Sequence, residues 1–223
     1  MGQILANYDV FAYFFLTIRL AVFSAIGAFV LGTIIAIFRL APVGFLRGLG
    51  RFYVEVIRNT PLTLIMVSTL LVFHSNLLIP MIGADTVATR NFNWAVVALA
   101  IYHSAFVCEA LRSGVNTVPV GQAEAARSMG LTFTQSLRHV IFPQALRGAI
   151  VPLTNVFIAL TKNTTVAAVI GVAEIAYLTS IVIENQPGLI LSMFLIVALG
   201  FVILTLPIGL LGTYLGRKLA VQR

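Results

Sequence analysis

Leu20-Ala-Val-Phe-Ser-Ala-Ile-Gly-Ala-Phe-Val-Leu-Gly-Thr-Ile-Ile-Ala-Ile-Phe38 runs for 19 residues without a charge. A helix needs about 20 apolar residues to cross the hydrocarbon core of a bilayer, and the aromatic-rich stretch from Phe11 lengthens this run backwards. Ser24, Ala28, Gly32 and Ala36 recur every four residues within it. On a helix they form one stripe of small side chains, which lets a second helix approach closely.

The rest of the chain repeats this character. Apolar runs follow at residues 61–73 (continuing past His74 to Pro80), 92–108, 148–173 (interrupted by Lys162) and 189–215. Of 223 residues, 60% are hydrophobic and 9% charged. A soluble domain carries about a quarter charged residues to coat its surface, so this chain calls for lipid as solvent. The sequence therefore predicts an all-α integral membrane protein with five transmembrane helices in a single domain over residues 1–223. No Lys or Arg precedes Arg19 and Asp9 stands where a positive n-region belongs, so a signal peptide is not expected. Cys108 lies in an apolar run and reads as a small packing residue.

The net charge of +7 is not a nucleic-acid footprint, which needs a clustered basic face. The cations sort by side instead. Arg39, Arg47, Arg51 and Arg58 lie between spans one and two, Arg112, Arg127, Arg138 and Arg147 between spans three and four, and Arg217, Lys218 and Arg223 after span five. Arg90 stands on the opposite side, with Arg19 and Lys162 inside spans. The positive-inside bias puts the N-terminus outside and the C-terminus in the cytoplasm.

The most informative cytoplasmic segment is Asn116-Thr-Val-Pro-Val-Gly-Gln-Ala-Glu-Ala-Ala-Arg-Ser-Met-Gly130 and its continuation to Pro143. Pro119 suits a first helical turn, and Gly130 suits the left-handed residue beyond a helix end. Residues 131–140 can form a second short helix, stopped by Pro143. The product is a helix, a glycine bend and another helix at the membrane surface, fit for a groove on a soluble partner. Ala125 and Ala126 permit close approach, and Glu124 and Arg127 are free for polar contacts.

Glu124-Ala125-Ala126, then Gly130, Val140 and Phe142-Pro143 at the observed spacing, resembles the EAA loop of bacterial ABC importer permeases. Val140 and Phe142 replace the usual Ile and Leu. Arg58-Asn59-Thr60-Pro61-Leu62, Glu109-Ala-Leu-Arg112-Ser-Gly114, Pro143-Gln144-Ala145-Leu146-Arg147, Lys162-Asn163-Thr164-Thr165 and Val169-Ile170-Gly171-Val172 extend the resemblance to the polar amino acid permeases. Within that branch, residues 160–174 and 204–209 look most like the permeases of actinobacterial glutamate importers.

The resemblance implies a type I importer permease in a bacterial cytoplasmic membrane. It implies a dimer with a second permease, often a different chain, and two ABC ATPase subunits on which Glu124, Ala125, Ala126, Arg127 and Gly130 dock. It also implies an extracellular or lipid-anchored amino acid binding protein. The chain has no Gly-rich loop ending in Gly-Lys-Ser/Thr, so it is not expected to be the ATP-hydrolysing subunit. ATP and Mg²⁺ are expected in the partner ATPase, and no cofactor in this chain.

Polar residues inside spans are the candidates for a substrate pathway: Lys162, Asn163, Thr164 and Thr165, with Arg58, Asn59 and Thr60 at the mouth of span two. For Lys162 the alternative is pairing with Glu174 or reaching to the interface; for Arg58 it is interfacial anchoring. Arg19 is expected to snorkel. Glu109 and Arg112, three apart on one helix, read as an ion pair bracing the loop. His74, His103 and His139 lack metal-ligand spacing and receive no chemistry. Many polar amino acid permeases read Lys-Asp-Thr where this chain has Lys162-Asn163-Thr164. Loss of that carboxylate favours an acidic cargo, glutamate or aspartate, with glutamine as runner-up. A membrane enzyme would need a catalytic cluster, which the spans do not present. A stand-alone secondary transporter or channel would need its own ion site or filter.

Overall fold

The computed structural model describes residues 2–76 and 85–219, and every element among them is helical. After a short α1 (Gly2–Asn7), α2 spans Val10–Leu40 as one helix. Its first turn is capped by Asp9, whose carboxylate accepts from the Ala12 N–H at 3.0 Å. α2 is parallel to α5 (Val87–Val115), residue for residue: Gly27 meets Ala100, Gly32 meets Ser104 and Val107, and Arg39 meets Glu109. The small-residue stripe makes this possible. Ser24, Ala28, Gly32 and Ala36 are all buried, and a Cβ on Gly32 would stand 2.7 Å from the Ser104 carbonyl oxygen.

α5 is the central helix, packed against α2 on one side and α8 (Phe142–Asn163) on the other. α8 comes close because Gly114 of α5 lies directly on Ala145 and Ala149. α10 (Ile190–Lys218) rests on α8 through Gly212 against Thr154, and most of its apolar surface is otherwise uncovered. Such a surface belongs in lipid or against another chain. Cys108 is fully buried in the core around α5, as a packing residue should be.

Among the described residues, four helical stretches are long and apolar enough to cross a membrane. The expected second span begins with the apolar helix from α4 (Leu62–Ser68), which meets the preceding α3 (Gly44–Asn59) at 103°. The cause is local. Thr60 is extended, Pro61 cannot donate a helical hydrogen bond, and Asn59 and Thr60 turn their side chains back onto the Glu55 and Val56 carbonyl oxygens, each at 2.7 Å. From Thr69 the span widens to a π-helix through Asn76. Its expected far end at Pro80 lies outside the described residues, as does Arg223.

The connections are more helical than hydropathy indicates, and the expected stop at Pro143 is corrected. The four-arginine connection after span one is largely helical, because α3 is amphipathic: Phe45, Leu49, Phe52 and Val56 line one exposed flank, and Gly50 and Val54 are buried. Pro143 does not stop a helix. α7 (Phe133–Ser136) runs through a π-turn at Leu137–Ile141 straight into α8. In the π-turn the Phe142 N–H donates to the Leu137 carbonyl five residues back. The wider turn accommodates the proline ring, which would clash with the preceding turn of a regular α-helix.

Candidate functional site

Two regions carry the chemistry. The first is the loop after α5. Pro119 precedes α6 (Val120–Ser128) with φ −59°, and Gly130 has φ +79°. The Gly130 N–H donates to the Arg127 carbonyl at 2.9 Å and the Leu131 N–H to the Ala126 carbonyl at 3.1 Å. This is a Schellman closure, with glycine in the left-handed position that a Cβ disfavours. Thr132 then caps α7 reciprocally with Gln135, a Thr-x-x-Gln signal readable in the sequence.

Glu124, Ala125, Arg127 and Gly130 are exposed together on α6 and its bend. Ala126 is not among them. It is 1% exposed and faces inward, where α6 rests on the Leu137–Ile141 turn, so its small size serves internal packing instead of docking. The Gln144 amide of α8 donates to the Gln122 side-chain oxygen and ties α6 to α8. Beneath the loop, Glu109 accepts from Arg112 at 3.4 Å, the expected pair, and also from Arg39 of α2. The Arg39 contact, 70 residues away in sequence, has no sequence signal.

The second region is a cleft of about 340 Å³ between α5 and α8, lined by Tyr102, His103, Phe106, Asn155, Val156, Ala159 and Asn163. His103 is 1% exposed. Its Nδ1 lies 3.0 Å from the Leu99 carbonyl oxygen, and its Nε2 lies 3.2 Å from Asn163 Nδ2. A carbonyl can only accept, so in the neutral ring Nδ1 carries the proton and Nε2 accepts from the Asn163 amide. That bond fixes the Asn163 amide and leaves its oxygen and second N–H for other partners. The Arg58 guanidinium stands 5.5 Å over the Phe106 ring, bringing a cation to the aromatic wall of the cleft.

Of the predicted set Asn163 lines the cleft, beside His103, Tyr102, Phe106 and Asn155, while Arg58 is not a lining residue and reaches it only through the Phe106 ring. The other predicted pathway residues do not line it. Asn59 and Thr60 are occupied at the α3 end. Thr164 is fully buried, its hydroxyl bonded to the Thr161 carbonyl at 2.7 Å, and the Thr165 hydroxyl bonds the Lys162 carbonyl at 2.9 Å. Such back-bonding is the local habit of threonine in helices. Lys162 is exposed and in neither ion pair found among the described residues. Its alternative partner Glu174 is engaged elsewhere: that carboxylate caps α9 (Ile175–Asn185), accepting from the Ala176 and Tyr177 N–H groups at 3.0 Å each. The polar break at residues 162–165 is a change of pitch, from α-helix to a 3₁₀ turn over Thr164–Ile170.

The sequence profile described as "Binding-protein-dependent transport system inner membrane component" matches residues 7–221. The chain belongs to this family. The permease is 49% identical over 213 residues to the glutamate transport system permease protein GluC of Corynebacterium efficiens, covering 94% of this chain and 93% of that one. It is 37% identical to the probable glutamine ABC transporter permease protein GlnM of Bacillus subtilis, covering 92% and 91%. Among solved structures, that of an amino acid ABC transporter with histidines superposes with a TM-score of 0.79 at 28% identity, covering 97% of both chains. The chain is thus a membrane-spanning transport component and not an enzyme; ATP hydrolysis belongs to a separate subunit.

Proposed function

We propose that this permease imports glutamate, and that the α5–α8 cleft is where its pathway meets the cargo. The observation that carries the reading is the composition of the cleft. An amide held by His103 lines the cleft, the Arg58 guanidinium stands over the ring of the lining Phe106, and no carboxylate is among the lining residues. In a poorly solvated site a carboxylate would repel an acidic side chain, while an amide N–H and a guanidinium attract it. The 49% identity to a glutamate transport permease supports the same cargo. Glutamine is the second reading, because Asn163 bonds an amide equally well and a probable glutamine permease is 37% identical.

In this reading the chain forms one permease domain, paired with a second permease and served by an extracellular or lipid-anchored binding protein. Glu124, Ala125, Arg127 and Gly130 dock on an ABC ATPase, which holds the ATP and Mg²⁺. The N-terminus lies outside and the α6 loop in the cytoplasm, as the arginine asymmetry argues. The cargo is tested with Asn163→Asp in the reconstituted transporter, measuring uptake of glutamate and of glutamine with one binding protein. Glutamate uptake is expected to fall more than glutamine uptake at equal assembly. Equal uptake of glutamate by variant and wild type would remove Asn163 from cargo selection.

A further inference from the structure

A second groove, of about 720 Å³, runs along the surface seam between α2 and α5, with Ala173 also at its edge. Because the two helices are parallel, residue number measures depth along it. Its shallow end, nearest the helix starts, carries Arg19, Thr89 and Asn93. Its deep end is walled by Phe23, Ile26 and Val97, with Phe23 and Ile26 half exposed. From Arg19 to Ile26 the helical rise of about 1.5 Å per residue gives roughly 10 Å of apolar trough below the polar end. The Arg19 guanidinium lies 5.5 Å over the Phe92 ring and is in neither ion pair found among the described residues.

We propose that this groove binds one anionic phospholipid, its phosphate on Arg19 and one acyl chain in the trough. The order of chemistry along the groove is that of a lipid: a cation and an amide at the level of the head group, then hydrocarbon walls toward the membrane centre. A guanidinium meets phosphate through two parallel charge-assisted hydrogen bonds. Phe92 holds it from behind, so little side-chain freedom is lost on binding. An apolar helix from a second permease would fill the trough but would cover Arg19 without supplying an anion, which costs several kcal/mol. A phosphate removes that cost. The inference concerns the membrane-facing surface and stands whichever amino acid is carried.

The test is native mass spectrometry of the whole transporter, extracted from nanodiscs of equal phosphatidylglycerol and phosphatidylcholine. The wild type is expected to retain one phosphatidylglycerol per copy of this chain. Arg19→Gln should lower that retention about tenfold, the loss of a charge-assisted contact. Val97→Phe, which blocks the trough and keeps the charge, should lower it as well, and it carries the test if Arg19→Gln fails to assemble. Equal retention by wild type and Val97→Phe would overturn the site. Equal retention of the two lipids by the wild type would overturn the anionic head group. Crosslinking from Ile26→Cys to the second permease would show a subunit interface and overturn the lipid as occupant.

Discussion

The bond between His103 and Asn163 makes a quantitative demand. If His103 acts on transport by holding the Asn163 amide, removing either side chain removes the same interaction. A neutral hydrogen bond contributes about 1 kcal/mol net, which corresponds to about fivefold in binding. This is the centre of the range for a neutral pair. His103→Ala and Asn163→Ala should therefore each raise the apparent KM for glutamate about fivefold. The double variant should also be about fivefold worse, where independent effects would multiply to about 25-fold. The assay is uptake into proteoliposomes holding the complete transporter, ATP inside and binding protein outside, with KM and kcat resolved. The split matters, since a general loss of folded protein lowers kcat and leaves KM alone. Multiplicative effects on KM, or an effect on kcat only, would refute the positioning role of His103.

Four further outcomes follow from the same geometry. Gly32→Leu should overpack the α2–α5 contact at the Ser104 carbonyl and Val107, costing about 1–3 kcal/mol and read as a lower melting temperature of the solubilised protein; Gly32→Ala should be milder. Gly130→Val should strain the left-handed bend by about 1–2 kcal/mol and lower substrate-stimulated ATP hydrolysis while leaving membrane insertion unchanged. Glu109→Gln should destabilise more than Arg39→Gln, because it strands both Arg39 and Arg112 whereas the latter leaves Glu109 with Arg112; the part-exposed setting keeps the difference near 1 kcal/mol, measurable by thermal unfolding. In a Cys108→Ala background, Glu124→Cys should be labelled only from the cytoplasmic side of intact cells, and labelling from outside would reverse the proposed orientation.

What the sequence disclosed follows from the kind of signal each feature leaves. Uncharged runs as long as residues 20–38 admit few readings, so the spans were legible. Their ends were not. α5 continues beyond its apolar run to a Thr86–Thr89 capping box at one end and to Val115 at the other, in polar turns that hydropathy does not register. α3 was hidden by its arginines, although Phe45, Leu49, Phe52 and Val56 recur at helical spacing. At 11 residues, α9 is too short to stand out as a span. In the site, Gly130 was legible because a left-handed cap demands a specific residue. His103 was not, since a single histidine in an apolar helix resembles core until its partner, 60 residues on, is seen beside it. Ala126 shows the converse limit: a motif names residues that matter without saying which face the fold turns inward.

These pieces meet in α8. On the proposed reading the ATPase moves α6, and α6 is tied to α8 at Gln144. Asn163 lies at the other end of the same helix, about 28 Å away at 1.5 Å per residue. Between them, Gly114 of α5 lies so near Ala145 and Ala149 that the two helices cannot approach further there. α5 is in turn braced to α2 by the Arg39–Glu109 pair. A push at Gln144 must then tilt α8 about the Gly114 contact, and the displacement grows with distance from it. Pro152 lies on that arm and leaves the Gly148 carbonyl without its helical donor, so the arm has one point where it yields more easily. The largest relative movement falls at Asn163 and His103. A 3.2 Å hydrogen bond between α8 and α5 at that position is therefore a contact the tilt would lengthen, and breaking it would free the amide that, on the proposed reading, faces the cargo. The same bond that orients the site in one state is thus the part of the cleft most exposed to the motion that empties it.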